Sequence, residues 1–440
     1  MITNNPLRTL IRGASILSVD PVVGTLPRGD ILIEGDRILA VDRDLTDQAG
    51  PAATVIDADR MIAIPGFVDS HVHAWEGQLR GIDPQADFGA YLGITAFGIG
   101  PRYRPEDNYA GTLATALVAL DAGITTVIDN SHNSRSPELS RAAIRAFVDA
   151  GIRGVHAVGA PFGASFDHIP GIVPALRDEF EGPLMTLRLY EVNPSAELWQ
   201  FANDEGLWVS TELGTHTPGL GEIFDDLEAR GLLTGRHAFN HGYDLSERVW
   251  DQIAGSGAAV NMAPRSDAAF GLGTTIPPID RALCRSIPVG LSGDNEITYG
   301  LSMFAEMQNL NSRHRSEVFR RQVAGETEAQ QLSAAQLLEF ATLGGAKNAG
   351  LADTVGSLTP GKQADIVLIR ADEVNTFPAT DALATVTAFA TSSNVDTVFV
   401  AGQLRKRHGR LVDIDVAEAQ ELIVDSRNHL LAPVHALQNS

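Results

Sequence analysis

The stretch PGFVDSHVHAWEGQLRG, residues 65–81, places His71 and His73 one residue apart directly after an apolar run. In a β-strand, residues i and i+2 lie on the same face, so both imidazoles point in one direction. Two neutral imidazoles side by side carry lone pairs that a protein core does not satisfy, whereas Zn²⁺ or Fe²⁺ binds imidazole nitrogen well. The pair therefore predicts a metal site at the end of a strand.

Seven more apolar runs follow this one, and helix-length segments with apolar residues at three- and four-residue spacing separate them. The runs are ITTVIDNSHN (124–133), IRGVHAVGA (152–160), PLMTLRLYE (183–191), LWVSTELG (207–214), RHAFNHG (236–242), AAVNMAP (258–264) and IPVGLSGDN (287–295). Eight βα units in sequence predict an α/β fold, a (β/α)8 TIM barrel.

The two ends of the chain have a different pattern from the middle. Short β-branched runs alternate there with Gly and Asp turns, which is typical of antiparallel strands. We expect residues 1–62 and 354–440 to build one small β-sandwich domain, with a terminal helix, and residues 63–353 to form the barrel between them.

Composition narrows the possible partners. The chain has 440 residues, 44% of them apolar, and no apolar run near the roughly 20 residues that cross a bilayer. Its start lacks a signal-like segment, so we expect a cytoplasmic protein with no membrane partner. A formal charge of −22 argues against nucleic acid as a partner. The single cysteine, Cys284, excludes a cysteine-rich zinc site, so histidines and carboxylates must hold any metal.

Polar residues recur at the ends of the predicted barrel strands, where TIM-barrel active sites lie. Asp294 ends the eighth strand, which neighbours the first strand in a closed barrel, and it is therefore a candidate third ligand beside the histidine pair. The alternative for Asp294 is a helix N-cap. The other polar residues at or just beyond the strand ends include His132, Glu212, His216 and His241.

Four blocks of the sequence resemble the amidohydrolase superfamily. They are IPGFVDSHVHAWEGQLRG (64–81), LLTGRHAFNHGYDLSERVWDQIAGSGAAVNMAPRSD (232–267), VGLSGDN (289–295) and GLADTVGSLTPGKQADIVLI (350–369). The resemblance implies either two metals bridged by a carbamylated lysine on strand four, or one metal without it. Lysine occurs only at Lys347, Lys362 and Lys406, so the lysine-bridged site is excluded.

The one-metal branch that remains includes deaminases of cytosine, guanine and triazines and triazine chlorohydrolases. This resemblance implies one divalent metal ion, Zn or Fe/Mn, a small heterocyclic substrate and a homo-oligomer. It also implies that Asp294 accepts a proton from the attacking water, and that His241 polarises the substrate or steadies the water.

Strand five departs from the pattern of this branch, whose members usually carry His-x-x-Glu with a metal-binding histidine and a proton-carrying glutamate. This chain reads LWVSTELGTHTPG at 207–219. Either Glu212 is the metal ligand, which its place at an ordered strand end favours, or His216 supplies the ligand and Glu212 carries protons. If Glu212 is the ligand, the candidate proton carriers are Asp294, His241, Glu296 and His132.

The leading hypothesis is a hydrolase that displaces an amino, chloro or nitro group from a small N-heteroaromatic ring, by attack of a water that the metal deprotonates. Trp75 and the phenylalanines of the strand-end loops suit a flat ring. Arg80 or Arg265 can hold an anionic substituent, and His132 and His216 are further candidates for substrate binding. The alternatives are a hydrolase of cyclic or acyclic amides and a metal-free binding protein on a degenerate barrel.

Overall fold

The computed structural model describes residues 8–213, 217–273 and 276–432. The strands of these ranges are β1 Arg8–Leu17, β2 Thr25–Glu34, β3 Arg37–Asp42, β4 Thr54–Asp57, β5 Met61–Pro65, β6 Phe67–Val72, β7 Ile124–Ser131, β8 Arg153–Gly159, β9 Met185–Glu191, β10 Val209–Leu213, β11 His237–His241, β12 Ala259–Met262, β13 Val289–Leu291, β14 Ile366–Arg370, β15 Val395–Val400, β16 Gln403–Arg407 and β17 Arg410–Leu411.

The helices alternate with the barrel strands and also flank the terminal sheet. They are α1 Thr46–Ala49, α2 Phe88–Ile94, α3 Pro105–Asp121, α4 Pro137–Ala150, α5 Ile169–Phe180, α6 Ala196–Glu205, α7 Leu220–Ala229, α8 Glu247–Ser256, α9 Pro264–Phe270, α10 Ile279–Leu283, α11 Met303–Val323, α12 Ala334–Glu339, α13 Gly345–Ala349, α14 Ala382–Ala384 and α15 Val416–Leu431. Short 3₁₀ turns (Ala74–Leu79, Gly100–Arg102, Ser392–Asn394) and π-helical turns (Thr95–Ile99, Phe340–Gly344, Thr385–Phe389) complete the set. Within the described ranges, no helix is both long and apolar enough to cross a membrane.

The eight strands β6 to β13 form one parallel sheet in chain order. The backbone joins its two edges just past β13, where the Asp294 N–H donates to the His71 carbonyl at 2.9 Å and the His73 N–H donates to the Asp294 carbonyl at 2.8 Å. These bonds bring the first and last strands together, and the predicted TIM barrel is confirmed.

The barrel helices bury one apolar face against the strands. In α4, Ile144 and Phe147 are fully buried, and each contributes about 1.5–3 kcal/mol relative to exposure. The helix ends at Gly151, whose φ of 66° is a left-handed conformation that glycine adopts at little cost. The segment Asp149-Ala150-Gly151 therefore marks the end of α4.

The strands from the two ends of the chain share one nine-stranded mixed sheet, in the order β17-β16-β15-β14-β5-β1-β2-β3 with β4 paired to β1. Antiparallel pairing of β5 with β14 joins the two ends, and this confirms a second, β-rich unit built from both termini. Strand β5 leads through the single residue Gly66 into β6. The domain bounds 1–62, 63–353 and 354–440 stay a prediction.

Polar residues inside the lower part of the barrel bond to one another across strands, and we call this group (Ser70, Arg188, Ser210, Asn261, Asn348) the barrel floor. The guanidinium of Arg188 donates to the Ser210 hydroxyl at 3.2 Å and to the Asn348 carbonyl at 3.0 Å. Ser70 donates to Asn261, and the Asn348 amide donates to the carbonyl of Val260 at 2.7 Å. The floor thereby ties four strands to α13.

Candidate metal centre and active site

Four side chains at the carboxyl ends of three strands direct nitrogen and oxygen atoms at one point, and we call this set (His71, His73, Glu212, Asp294) the donor set. His71 Nε2 lies 3.3 Å from His73 Nε2, 3.4 Å from Glu212 Oε1 and 3.3 Å from Asp294 Oδ1. His73 Nε2 lies 3.4 Å from the same Asp294 oxygen. All four residues are at least 94% buried.

These spacings fit one divalent metal ion. Ligand atoms at about 2.0–2.1 Å from a tetrahedral zinc ion are about 3.3–3.4 Å apart, which matches the distances from His71 Nε2 to the other three donor atoms and from His73 Nε2 to Asp294. Burial lowers the pKa of His71 to about 4, so its ring is neutral at pH 7 and offers a lone pair. His71, His73 and Glu212 form a cluster whose ligand atoms all lie within 4.8 Å of one another. The structure thus supports the predicted single metal site.

The second ring nitrogen of His73 fixes the orientation of its metal-facing nitrogen. His73 Nδ1 lies 2.7 Å from the carbonyl of Asn130, which can only accept, so Nδ1 carries the proton and Nε2 keeps its lone pair. His132 Nδ1 lies 3.0 Å from the same Nδ1, which places His132 behind His73. His132 therefore contacts a metal-facing histidine on the side away from the donor set.

Asp294 is positioned by the barrel closure and by a hydroxyl. The backbone bonds to β6 hold its carboxylate beside the histidines, Ser266 donates to Oδ2, and the amide of Asn295 donates to Ser266 at 3.3 Å. Asp294 has a φ of 64°, a left-handed conformation that is costly for a residue with a Cβ. Helix N-capping requires neither this strain nor the approach to the imidazoles.

Glu212 connects the donor set to a hydrogen-bonded row of side chains. Its Oε2 lies 3.0 Å from His241 Nε2, while His241 Nδ1 lies 2.7 Å from Asp267 Oδ1 and the Tyr243 hydroxyl donates to Asp267 Oδ2 at 3.1 Å. Burial alone lowers the pKa of His241, but the Asp267 and Glu212 carboxylates outweigh it and hold the pKa well above its ordinary value.

The pKa of Glu212 is lowered, in contrast to that of His241. Burial raises it, but the His71 and His241 imidazoles dominate and keep the pKa below its ordinary value, so Glu212 is a carboxylate able to bind a cation. His241 has a φ of 66°, so two residues with left-handed backbone, His241 and Asp294, face the donor set.

A pocket lies above the donor set. Apolar and aromatic side chains form its walls, and His73, Glu212, His241 and Asp294 form its base. The wall residues are Phe88, Tyr91, Phe162, Tyr190, Val192, Phe270 and Leu272. The pocket has the lining of a small-ligand site, with apolar walls and a few polar groups that converge at the base.

Several side chains predicted for substrate binding have other partners. Arg80 is paired with the buried carboxylate of Glu296, and Arg265 bonds to Glu306 at 2.6 Å. Trp75 is buried against Tyr103, with ring centroids 4.8 Å apart. Neither arginine nor Trp75 is among the wall residues. His216 lies outside the described residues.

Two residues of the site, Tyr190 and Asp267, are not among the polar residues predicted from the ends of the strands. Position at a strand end selects Glu191, whose carboxylate instead accepts from the Thr211 hydroxyl at 2.9 Å and from the Ser195 N–H at 3.0 Å. Tyr190, one residue earlier, lines the pocket. The two-residue alternation of strands is the signal that identifies Tyr190, because it shares a face with Arg188 inside the barrel. No motif in the sequence marks Asp267.

Comparison with known proteins identifies the family of the chain. The model of the amidohydrolase family matches residues 62–405. A 5-methylthioadenosine/S-adenosylhomocysteine deaminase of Pelotomaculum thermopropionicum is 26% identical over 94% of this chain and 97% of its own length.

Solved structures agree with the fold. A variant of an atrazine chlorohydrolase from Arthrobacter aurescens TC1, complexed with zinc and atraton, has a TM-score of 0.83 and 25% identity over 95% of this chain and 100% of its own. An adenosine deaminase from Xanthomonas campestris with bound zinc has a TM-score of 0.82 and 22% identity over 97% and 99% of the two chains. With the family model spanning most of its length, the chain belongs to the amidohydrolase family and is a hydrolase.

Proposed function

We propose that this protein is a metal-dependent hydrolase that displaces an amino, chloro or nitro group from a small N-heteroaromatic ring. The observation that carries the proposal is the donor set at the base of an aromatic pocket. The similarity to deaminases and to a triazine chlorohydrolase supports the same class of reaction. A cytoplasmic location and a homo-oligomeric state remain predictions from the sequence.

A bound metal ion would be held by His71, His73, Glu212 and Asp294. Such an ion supplies one thing to the reaction, because it lowers the pKa of water from about 15.7 towards 7 and so provides a nucleophile at neutral pH. In the proposed reaction, the Asp294 carboxylate, held by the Ser266 hydroxyl, accepts the proton that this water loses.

His241 has a positioning role in this scheme. Asp267 fixes its Nδ1–H, and its Nε2 lies 3.0 Å from Glu212 Oε2, so the positive charge of His241 holds that carboxylate close to the two histidines. His241 also lines the pocket beside the substrate ring. Asp267 and His241 therefore orient Glu212, a proposed ligand of the metal. His241 also forms one side of the site for the substrate ring.

The pocket walls favour a flat, uncharged ring. Phe88, Phe162 and Phe270 offer aromatic faces, and the described wall residues include no arginine or lysine to bind an anionic substituent. Water is excluded because these walls are apolar.

The leaving group depends on proton supply. Ammonia must be protonated as it departs, whereas chloride and nitrite need no proton. Strand five lacks the glutamate that usually carries this proton in the one-metal branch, so we favour chloride or nitrite over ammonia.

The test combines metal analysis with a substrate panel. The full chain is stripped with a chelator, reloaded with Zn²⁺, Fe²⁺ or Mn²⁺, and assayed on adenosine, 5-methylthioadenosine, an aminopyrimidine, a 2-chloro-1,3,5-triazine and a nitroazole for released ammonia, chloride and nitrite. We expect one metal per chain and release from at least one ring. Absence of bound metal together with no release from any ring refutes the proposal.

A further inference from the structure

The hydroxyl of Tyr190 is the feature of the pocket that the mechanism above does not use. Tyr190 lies on β9, its side chain is fully buried and its ring lines the pocket. Within the described ranges, its hydroxyl oxygen has no hydrogen-bond partner of acceptable geometry. Leaving a buried hydroxyl without a partner costs about 1–3 kcal/mol, so this arrangement calls for a ligand.

The other polar wall and base groups already have partners for their protons. Tyr91 donates to Glu76 at 2.7 Å, and His73 uses Nδ1–H on the Asn130 carbonyl. Both nitrogens of His241 face carboxylates. Among the described residues of the pocket, Tyr190 is thus the one whose O–H forms no hydrogen bond of acceptable geometry, and the Glu212 carboxylate is a competing acceptor beside it.

The backbone holds the Tyr190 ring in place. Gly159 on the neighbouring strand β8 pairs with Tyr190, and a Cβ built on Gly159 would come within 2.4 Å of the tyrosine ring. The absence of a side chain at Gly159 therefore makes the space that the ring occupies. The ring centroid lies 6.1 Å from those of both His73 and His132, so the phenol is fixed above the histidines.

The phenol keeps its proton at neutral pH. The ordinary pKa of tyrosine is about 10, and burial disfavours the charged form, so no phenolate forms near pH 7. A neutral phenol donates a hydrogen bond, and a site for an electron-poor ring needs such a donor where negative charge appears.

We propose that the Tyr190 hydroxyl donates a hydrogen bond to the ring nitrogen next to the carbon that is attacked. This inference rests on the proposed function and specifies how the ring is recognised. The oxygen of water forms a bond to the ring carbon as one water proton passes to the Asp294 carboxylate, and the electron pair of the C=N bond moves onto the nitrogen. That pair returns to re-form C=N as the bond to the leaving group breaks. Tyr190 keeps its proton throughout and stabilises the charge on nitrogen.

The substrate class follows from this geometry. The ring has an acceptor nitrogen directly beside the carbon that bears the leaving group, as in 2- or 4-substituted pyrimidines, 6-substituted purines and 1,3,5-triazines. A ring whose leaving group has only carbon neighbours gives Tyr190 nothing to bind.

The experiment compares Tyr190→Phe with the unchanged protein, both loaded with the same metal, on every panel compound that the unchanged protein converts. We expect kcat to fall about 10- to 100-fold, with KM changed less than about threefold, because the donor acts on charge that develops in the transition state. Metal content and Tm should stay the same. Tyr109→Phe is the matched control, since the Tyr109 hydroxyl bonds to Asp149 at the surface.

The outcomes separate the two proposals. If the unchanged protein binds no metal and converts no compound, the proposed function fails and the Tyr190 inference falls with it. If the unchanged protein is active and Tyr190→Phe keeps its kcat within about twofold, or loses kcat only in proportion to lost metal or lost folded protein, the Tyr190 inference alone is overturned.

Discussion

The carboxyl ends of the barrel strands, which we call the mouth, and the barrel floor both contain buried polar side chains. The two groups of side chains differ in what their lone pairs face. On the floor, the guanidinium of Arg188 donates to the Ser210 hydroxyl and to the Asn348 carbonyl, so donors face acceptors. At the mouth, the donor set turns lone pairs towards lone pairs, and both Asp294 and His241 have left-handed backbone. The floor therefore contributes hydrogen bonds to the stability of the barrel, whereas the lone pairs at the mouth match a ligand that supplies positive charge.

Removal of a mouth histidine should give the largest effect. In His71→Ala, we expect bound metal to fall below about 0.1 per chain and turnover to fall at least about 10³-fold, because the activated water is lost. Metal analysis and the panel assay measure both. His408→Ala, an exposed histidine, is the control and should keep full metal. Full activity in metal-free His71→Ala would contradict the prediction that turnover depends on a metal held by the mouth histidines.

Strand five offers the next test, through two substitutions of one residue. Glu212→Ala should weaken metal binding by about 10- to 100-fold, whereas Glu212→His, which restores a nitrogen ligand, should retain metal. Competition with a chelator measures the affinity. A Glu212→Ala protein with unchanged affinity but no turnover would instead make Glu212 a proton carrier.

Asp267 acts on the donor set indirectly, through His241. In Asp267→Asn, His241 loses the carboxylate that fixes its Nδ1–H, and we expect kcat to fall about 10-fold with KM nearly unchanged. A shift in the pH profile of kcat should accompany the loss, since the positive charge on His241 is less stabilised. Asp251→Asn, whose carboxylate pairs with Arg285 at the surface, is the control. Unchanged kcat and pH profile would exclude this role.

A floor substitution should affect stability and leave chemistry alone. Arg188→Met leaves the Ser210 hydroxyl and the Asn348 carbonyl without this donor, and we expect the free energy of unfolding to fall by about 1–3 kcal/mol. Denaturant titration measures the loss, and kcat per folded molecule should be unchanged. Reduced kcat with normal stability would show that the floor takes part in the reaction.

The last prediction concerns the effect of pH on stability through Glu306, a buried carboxyl group that bonds to Arg265. Burial raises the pKa of Glu306 to about 7, against the opposing pull of Arg265. Between pH 4.5, the ordinary value for the unfolded chain, and pH 7, the folded protein holds a proton that the unfolded chain has lost, so stability falls as pH rises. This group contributes a slope of at most about 1.4 kcal/mol per pH unit, and Glu306→Gln should remove that slope from pH-dependent unfolding curves.

Much of the mouth follows from the sequence because short-range rules govern it. The two-residue strand period aligns His71 with His73, and barrel closure brings Asp294 beside them. Glu212 follows from its place at a strand end. These placements depend on backbone geometry alone.

The remaining features depend on long-range partners that local patterns do not encode. Arg80 meets Glu296 from the loop after β13, and Trp75 packs against Tyr103. Tyr190 enters the pocket because Gly159 on another strand leaves room for its ring. Each contact joins residues far apart in the chain.

Gly66, the single residue between β5 and β6, has a consequence for engineering. A Cβ there would lie 2.1 Å from the Thr125 hydroxyl, and the strand that precedes it is hydrogen-bonded on both sides within the terminal sheet. Strand β6, which contains His71, therefore leaves the terminal sheet at a fixed register. Excising the barrel as a minimal catalyst would cut the segment that sets this register, so truncation libraries should keep both chain ends.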